Sequence, residues 1–582
     1  MRNKIIISLL LSSSLLLVNT QSAEPLKVKP EIFTPTKTRA VEKKQIIRSI
    51  QAGIKHLKPA KRLSLPNLSA EEIAKIQPAG KKRPMQVGIS RKLSRIDFTA
   101  LDWTNISTGR IAHIIIQSNQ AESLRVLLDA KHIPDGVEIR FFSPSQLNQA
   151  VTTYTADSIA QKGNHFWSPS IEGEQIGIEI YLPTSVKPSE LELSIPQISH
   201  LFQNVSTPLS KSSIPSIRAA SESCNINVMC ASQTWQDTAK AVAKYIYTEP
   251  DGNSYLCSGT LLADTDNSTQ IPYFLTANHC INNASSAASM ELYWFYRTTQ
   301  CNSTQLSANF TTTQNGGVLL AHSATSDTSF IKLNTDPPAG VSLSGWTLTP
   351  LQSNDVVVGL HHPNGDVKKY SKGVFQHFEK ITDLGGGSLI VTPDDNGNFI
   401  SVVWSEGITA GGSSGSGLWK TEQGVNYLVG ALFGGSSFCS APQAPDDYGR
   451  FDRSYPYFSQ WLNPTPTQIN INVSQTPTGA TALLDGMLIY RYVQGLRGND
   501  LIAGLLDNNA DIASIESNIA AISPHLDIDL DGNITAEQDV MLIIRYMLGL
   551  RGSSLTEGIV SANASRTTAT EIEQYLKEAL IK

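Results

Sequence analysis

At 582 residues, with 40% hydrophobic and 17% charged residues, the chain is too long for one core, and roughly two to four folding units are expected. The net charge of −5 is unremarkable as a total but unevenly spread, with Lys and Arg concentrated over 24–95 and acids over about the last hundred residues. That asymmetry excludes a single uniform domain and implies segments with separate fates.

The chain begins with a short basic head, Arg2 and Lys4, followed by an apolar run from Ile5 to Val18 broken only by serines. This reads as a secretory signal over 1–23 with cleavage near Ala23, and so as a secreted protein. The run is short for a transmembrane span and polar residues follow at once, so no membrane anchor is expected.

Residues 24–218 contain no cysteine. The first part is Lys/Pro-rich and reads as loosely ordered. Arg110–Gln117 and Ile176–Leu182 read as strands and Ala121–Ala130 as a helix, which together suggest a small α/β unit placed as a propeptide would be. Few aromatics and no recognised motif accompany the basic residues, so nucleic acid is not expected as a partner.

From Cys224 to Leu462 the pattern becomes short strands separated by Gly, Ser, Asn and Thr turns, as in one all-β domain over 219–462. All six cysteines lie here: Cys224, Cys230, Cys257, Cys280, Cys301 and Cys439. In an exported chain they read as three disulfides, since their spacings match no compact zinc-ligand pair.

Three strings carry the chemistry. Leu275-Thr-Ala-Asn-His279-Cys280 comes first, then Thr325-Ser-Asp327 ahead of an apolar strand, then Gly412-Ser-Ser414-Gly-Ser-Gly417. Each string is weak alone, but together and in this order they are the parts of a Ser-His-Asp hydrolase. A serine hydroxyl is a poor nucleophile near neutral pH and needs a base, which in turn needs an orienting carboxylate. Ser414, His279 and Asp327 fill those roles, with the N–H groups of Gly412 and Ser414 as oxyanion donors. His361 and His362 are adjacent and would point to opposite faces of a strand, so one buried and one exposed histidine is expected rather than a metal pair.

Residues 219–462 resemble the bacterial lysyl endopeptidases of the chymotrypsin-like class. The resemblance rests on Ser223-Cys224-Asn225-Ile226, Tyr273-Phe-Leu-Thr-Ala277, Leu360-His-His-Pro-Asn364, Gly434-Gly-Ser-Ser-Phe-Cys439 and Asp446-Asp-Tyr-Gly-Arg450. It implies a mainly β fold, a double six-stranded β-barrel with the triad in the cleft. It implies disulfides Cys224–Cys439, Cys230–Cys301 and Cys257–Cys280. It places Asp446 at the floor of the primary specificity pocket, with Phe433 and Gly434 at its edge and Asp447 outside on the surface. The family's histidine before the Gly-Gly is Phe433 here, and its tryptophan ahead of a Gly-rich loop is Leu384, so cleavage after Lys, and also Arg, is expected. Position 413 is Ser where trypsin has an activating Asp. Activation is then expected from prosegment removal, with Arg218–Ala219 as the processing site.

A Pro/Thr linker spans 463–470, and 471–582 hold a repeat. Leu484-Asp-Gly-Met-Leu-Ile-Tyr-Arg-Tyr492 recurs 54 residues later as Gln538-Asp-Val-Met-Leu-Ile-Ile-Arg-Tyr546, both reading as short amphipathic helices. Asp527, Asp529, Asp531, Gly532 and Asn533 have the spacing of a calcium loop, with Asp539 as a late carboxylate. The first copy retains only Asp485, so one Ca2+ site is expected. The region resembles a dockerin-type domain, which implies a small α-helical module and a cohesin-like partner. The alternative is a calcium-stabilised appendage aiding secretion or substrate attachment. The reading is therefore a secreted, monomeric serine endopeptidase acting on protein and peptide substrates, made as a preproenzyme and needing no cofactor for its chemistry. The competing reading is a catalytically silent protease-fold adhesion protein working through its C-terminal module.

Overall fold

Alternating and continuous apolar runs give strands through most of the chain, and short helices gather near its C-terminus. The structure, a computed structural model, describes residues 25–34, 56–77, 83–145, 150–162, 165–205, 221–266, 270–384, 388–464, 469–476, 479–507 and 509–581. The signal segment and the Arg218–Ala219 junction lie outside the described residues. Among the described residues, no helix is long and apolar enough to cross a membrane.

The two strands expected before residue 200 are present. Gly109–Ser118 pairs antiparallel with Gln175–Pro183, Ile116 opposite Ile176, at the centre of a six-stranded sheet. Ile111, Ile114, Ile116, Ile176, Ile178 and Ile180 are all fully buried there. The expected helix over Ala121–Ala130 is instead a strand, Ser123–His132. It pairs with Gln197–Leu201, His165–Trp167 and Glu192–Ser194, and Leu124, Val126, Leu127 and Leu128 are buried on both of its faces. A strand covered on both sides loses the period-two signal, and its apolar run cannot be told from a buried helix. Helix in this region is confined to short pieces such as Ala70–Ala74, closed by a Ser69–Glu72 capping box, and Ala156–Lys162. The unit is thus mainly β rather than α/β.

That unit is continuous with the central region. Met85–Lys92 pairs with Gln197–Leu201 on one side and with Ser254–Leu262 on the other, Gly88 lying opposite Ser254. The seam is polar as well as apolar. Arg125 donates to the carbonyls of Ser168 (2.9 Å) and Ser289 (2.7 Å) and to Thr248 Oγ1 (3.0 Å). Near the start of the chain, Lys27–Val28 pairs with Trp346–Thr347 and Glu31–Ile32 with Ser342–Leu343.

The central region contains two curved antiparallel sheets. In the second, Val356–His361, Lys369–Asp383, Phe399–Glu406, Asp446–Arg450, Val425–Gly435 and Gly417–Glu422 pair in succession and return to the first, closing a six-stranded barrel. The first runs Thr311–Thr313, Glu291–Trp294, Val242–Thr248, Ser254–Leu262, Tyr273–Thr276, Thr328–Leu333, Gly317–Ser323, an open ladder among the described pairings. Its end strands, Thr311–Thr313 and Gly317–Ser323, do not pair with each other among the described residues, and its central strand also pairs at Ser254–Leu256 with Met85–Gly88. The disulfides are Cys224–Cys439, Cys230–Cys301 and Cys257–Cys280, the pairing the resemblance implied.

The C-terminal repeat is visible bond by bond. Met487–Val493 and Met541–Met547 are the two expected helices, each following one wide π-type turn. Arg491 donates to the carbonyls of Leu501 and Ala503, and Arg545 does the same to Leu555 and Glu557. Arg497 stacks over Tyr492 and Arg551 over Tyr546. One apolar cluster, including Leu488, Ile489, Leu542 and Ile543, lies under both copies.

Candidate active site

His279 lies in the turn after Tyr273–Thr276, and the Cys257–Cys280 disulfide ties that turn to the neighbouring strand. Asp327 lies at the head of Thr328–Leu333, with φ of 48°, a left-handed conformation that Asp tolerates better than most residues. The two loops are bonded three times. The Asp327 carbonyl accepts from Asn278 N–H (3.1 Å), its Oδ1 from His279 N–H (2.8 Å), and Oδ2 lies 2.6 Å from His279 Nδ1. Both carboxylate oxygens are therefore used to hold one histidine, and the ring's orientation follows from the backbone.

Ser414 comes from the other sheet and is brought to this turn by close backbone approach. Its carbonyl accepts from Ser258 N–H (2.9 Å). A Cβ at Gly415 would sit 2.1 Å from Thr276 Oγ1 and 2.7 Å from the Ala277 nitrogen, and Gly415 has φ of +80°. Only glycine allows that contact. Ser414 Oγ and His279 Nε2 are both buried, and neither has a hydrogen-bond partner among the described residues. Catalytic hydrogen bonds are often loose until substrate is bound. Gly412 has φ of +86°, and the N–H groups of Gly412 and Ser414 donate to no backbone carbonyl among the described residues, as oxyanion donors require.

The histidine pair departs from expectation: His361 and His362 are both fully buried. Their strand end is sandwiched between the closed barrel and the Ser414 loop, so neither face meets solvent. His361 Nδ1 is 2.7 Å from Ser413 Oγ and Nε2 is 3.0 Å from Ser371 Oγ, while Ser413 Oγ accepts from Ala410 N–H (3.2 Å). A buried imidazole thus holds the residue before Ser414. Nothing in the sequence spacing pointed to this bond, because 52 residues separate its ends.

Asp446 starts the strand Asp446–Arg450 and is fully buried. Its Oδ2 accepts from Trp404 Nε1, Thr409 Oγ1 and Ser437 Oγ, each at 2.7 Å, and its Oδ1 from Ser437 N–H at 3.1 Å. These donors are neutral. Gly435 lies so close that a Cβ there would be 2.0 Å from Asp446 Oδ1. Asp447, expected on the surface, is 5% exposed, because its strand is paired on both sides, to Phe399–Glu406 and Val425–Gly435. Gly434 is buried opposite Asp447, and Phe433 packs edge-on to His279 (6.0 Å between ring centres) and against Phe399 (5.3 Å). Phe433 therefore bridges His279 and Phe399, the latter on the strand that pairs with Asp446–Arg450. Leu384 is 61% exposed, and the glycines after it, 385–387, are outside the described residues. Trp404, Thr409 and Ser437 were not legible as partners of Asp446, since they come from two segments, 404–409 and the loop holding Ser437, that only the fold brings to it.

In the C-terminal repeat, carboxylate oxygens of Asp527, Asp529 and Asp531 lie within 4.8 Å of one another. Asp527 accepts from the N–H groups of Asp531 (3.1 Å) and Gly532 (3.0 Å), which curls the loop around the three acids. Burial pushes the carboxyl groups of Asp527 and Asp529 up, as expected for acids gathered where a cation would relieve them. The donor set, hard oxygens on a tight turn, fits Ca2+. Asp539 lies outside this group of three carboxylates. Asp539 accepts from Ile528 N–H (2.8 Å) and Thr535 N–H (2.9 Å), and burial pushes its carboxyl up to about 6. Asp485 in the first copy does the same with Ser474 and Thr481, so both late acids brace their loops.

Residues 218–449 match the lysyl endopeptidase C-terminal domain and residues 62–202 the lysyl endopeptidase N-terminal domain. A lysyl endopeptidase from Pseudomonas aeruginosa is 34% identical over 415 residues, covering 68% of this chain and 85% of that protein. Among solved structures, the active form of the Rv3671c protease from M. tuberculosis aligns at 12% identity and TM-score 0.27, over 39% of this chain and 83% of its own. The MamO protease domain from Magnetospirillum magneticum aligns at 10% identity and TM-score 0.27, over 38% and 98%. The chain belongs to the lysyl endopeptidase family and is a serine endopeptidase.

Proposed function

We propose that the enzyme is secreted as a preproenzyme and cuts peptide bonds after Lys, and after Arg, using Ser414, His279 and Asp327. Ser414 Oγ attacks the scissile carbonyl while His279 Nε2 takes its proton and later returns it to the leaving amine. Asp327 keeps the imidazole proton on Nδ1 and stabilises the imidazolium. The Gly412 and Ser414 N–H groups receive the oxyanion, a contribution of about 3–4 kcal/mol per donor.

The observation that carries the specificity is the buried Asp446 carboxylate with neutral donors around it. These donors steady the carboxylate in place, and a cationic side chain entering the pocket would gain a desolvated partner. A neutral side chain would leave the carboxylate buried against apolar surface. Phe433, in place of the family's histidine, and Leu384, in place of its tryptophan, support tolerance of Arg beside Lys. The C-terminal region is proposed to be a dockerin-like module with one Ca2+ site built on Asp527, Asp529 and Asp531. The cation would brace the loop and supply no chemistry to the hydrolysis.

Mass-spectrometric mapping of cuts in a denatured protein mixture, beside a Ser414→Ala control, tests the proposal. Cuts after Lys and Arg that vanish in the control are expected. Cuts confined to apolar residues would overturn the role of Asp446, and cuts that persist in the control would overturn the triad.

A further inference from the structure

The loop read as a calcium site is also a part of the C-terminal module that touches the central region. Leu530 lies between Asp529 and Asp531, with φ of 57°, and packs against the central region's apolar core. A branched aliphatic residue in the left-handed region costs about 1 kcal/mol or more, so something must hold it there. Its carbonyl accepts from Ser565 N–H (3.2 Å), and Ser565 Oγ accepts from Lys332 Nζ of the central region (3.2 Å). The next residue, Arg566, is 4% exposed. Its N–H donates to the Asp529 carbonyl (2.8 Å), its guanidinium stacks over Tyr575 (3.8 Å), and it lies within electrostatic reach of Asp266 and Tyr273 in the central region.

The surface receiving this wedge is specific. Lys332 and Tyr273 are opposite one another on the paired strands Thr328–Leu333 and Tyr273–Thr276. At their other end, where Thr276 pairs with Ser329, these strands run on to His279 and Asp327 together, so the module sits on the far end of the elements that carry the proposed base and its carboxylate. The connection between the two bodies is short. Leu462 is buried in the central region, and Ile469 is buried in the module, where its strand pairs with Leu580–Ile581.

We infer that the module's partner is the chain's own central region, and that a divalent cation held by Asp527, Asp529 and Asp531 seats it there by locking Leu530 in its docked conformation. This rests on the calcium reading above. With the cation bound, the acids on either side of Leu530 are drawn together and the wedge is preformed. Without it, the carboxylates repel and Leu530 is released from its left-handed conformation.

The test uses the full-length Ser414→Ala chain, so that no self-cleavage intrudes, and a Leu530→Asn, Lys332→Ala double variant of it. Asn accepts a left-handed conformation readily, so the loop is kept while the wedge is lost. Calcium binding is measured by calorimetry, and undocking by the rate at which an added proteinase cuts the 463–470 linker, with Ca2+ or with chelator. A segment anchored at both ends must be freed before it fits a proteinase cleft. In the parent, one Ca2+ should bind and slow linker cutting about tenfold or more. The double variant should bind Ca2+ equally well yet be cut at the rate seen with chelator. Calcium binding with no slowing in the parent, or with equal slowing in the variant, would overturn the docking inference. No calcium binding at all would overturn the calcium reading instead. Slowing in the parent without calcium binding would leave docking but remove the cation from it.

Discussion

Asp327 and Asp446 are both nearly or fully buried and are held in contrasting ways. Asp327 spends both oxygens on His279, one on the ring and one on the backbone. Asp446 receives an indole, two hydroxyls and a backbone N–H, all neutral donors. The first arrangement fixes a neighbour's orientation, and the second surrounds a carboxylate with donors, the arrangement on which the proposed pocket role rests. Burial alone therefore says little about a carboxylate's task, and the chemistry of its donors says more.

The contrast can be broken by removing each charge while keeping its shape. Asp327→Asn should lower kcat by about 10⁴-fold, because the amide would favour the wrong imidazole tautomer, with KM for lysyl substrates nearly unchanged. Asp446→Asn should lower kcat/KM for lysyl peptides by about 10²–10³-fold and spare hydrolysis of a small activated ester with no side chain for the pocket. Steady-state kinetics on both substrates separates the two. Equal losses on peptide and ester in Asp446→Asn would end the distinction.

The same logic sharpens on the histidines. His279 faces a carboxylate, whereas His200 in the N-terminal unit faces the Ser118 hydroxyl (2.8 Å) with Arg91 nearby, and burial pushes it down to about 4. An imidazole whose folded value lies below its ordinary 6.5 binds fewer protons folded than unfolded. Stability should thus be full above pH 6.5 and fall as the pH drops towards 4, by about 3 kcal/mol. Urea unfolding of the Ser414→Ala chain at several pH values measures this, and His200→Gln should flatten the slope. The smallest effect is expected from His361→Asn, which cannot span Ser413 and Ser371. Losing one buried hydrogen bond behind the oxyanion loop should reduce kcat about tenfold with KM unchanged, and His361→Gln should recover part of it.

Local strings were legible where chemistry demands contiguous residues. The Thr-Ala-Asn-His-Cys turn, the glycines around Ser414 and the 54-residue repeat all take the geometry their residues imply. Contacts between distant segments were not legible. Ser254 opposite Gly88 makes the N-terminal unit an extension of the central sheet, and no local pattern records that pairing. Ser123–His132 misled because it is covered on both faces, and His361–His362 because the alternation rule assumes that one face of a strand meets water. Asp446 was found through family likeness, but its retaining donors Trp404, Thr409 and Ser437 emerged only once two other segments were brought to it.

Gly415 has a consequence for anyone building libraries of this enzyme. Its missing side chain is the space through which the Ser414 loop reaches the turn bearing His279, against Thr276 and Ala277. A saturation scan of the loop should therefore return glycine almost alone at 415, even under selection for folding rather than activity. Substitutions there would push the two sheets apart, so the position acts as a spacer setting how closely the nucleophile loop can meet the histidine turn.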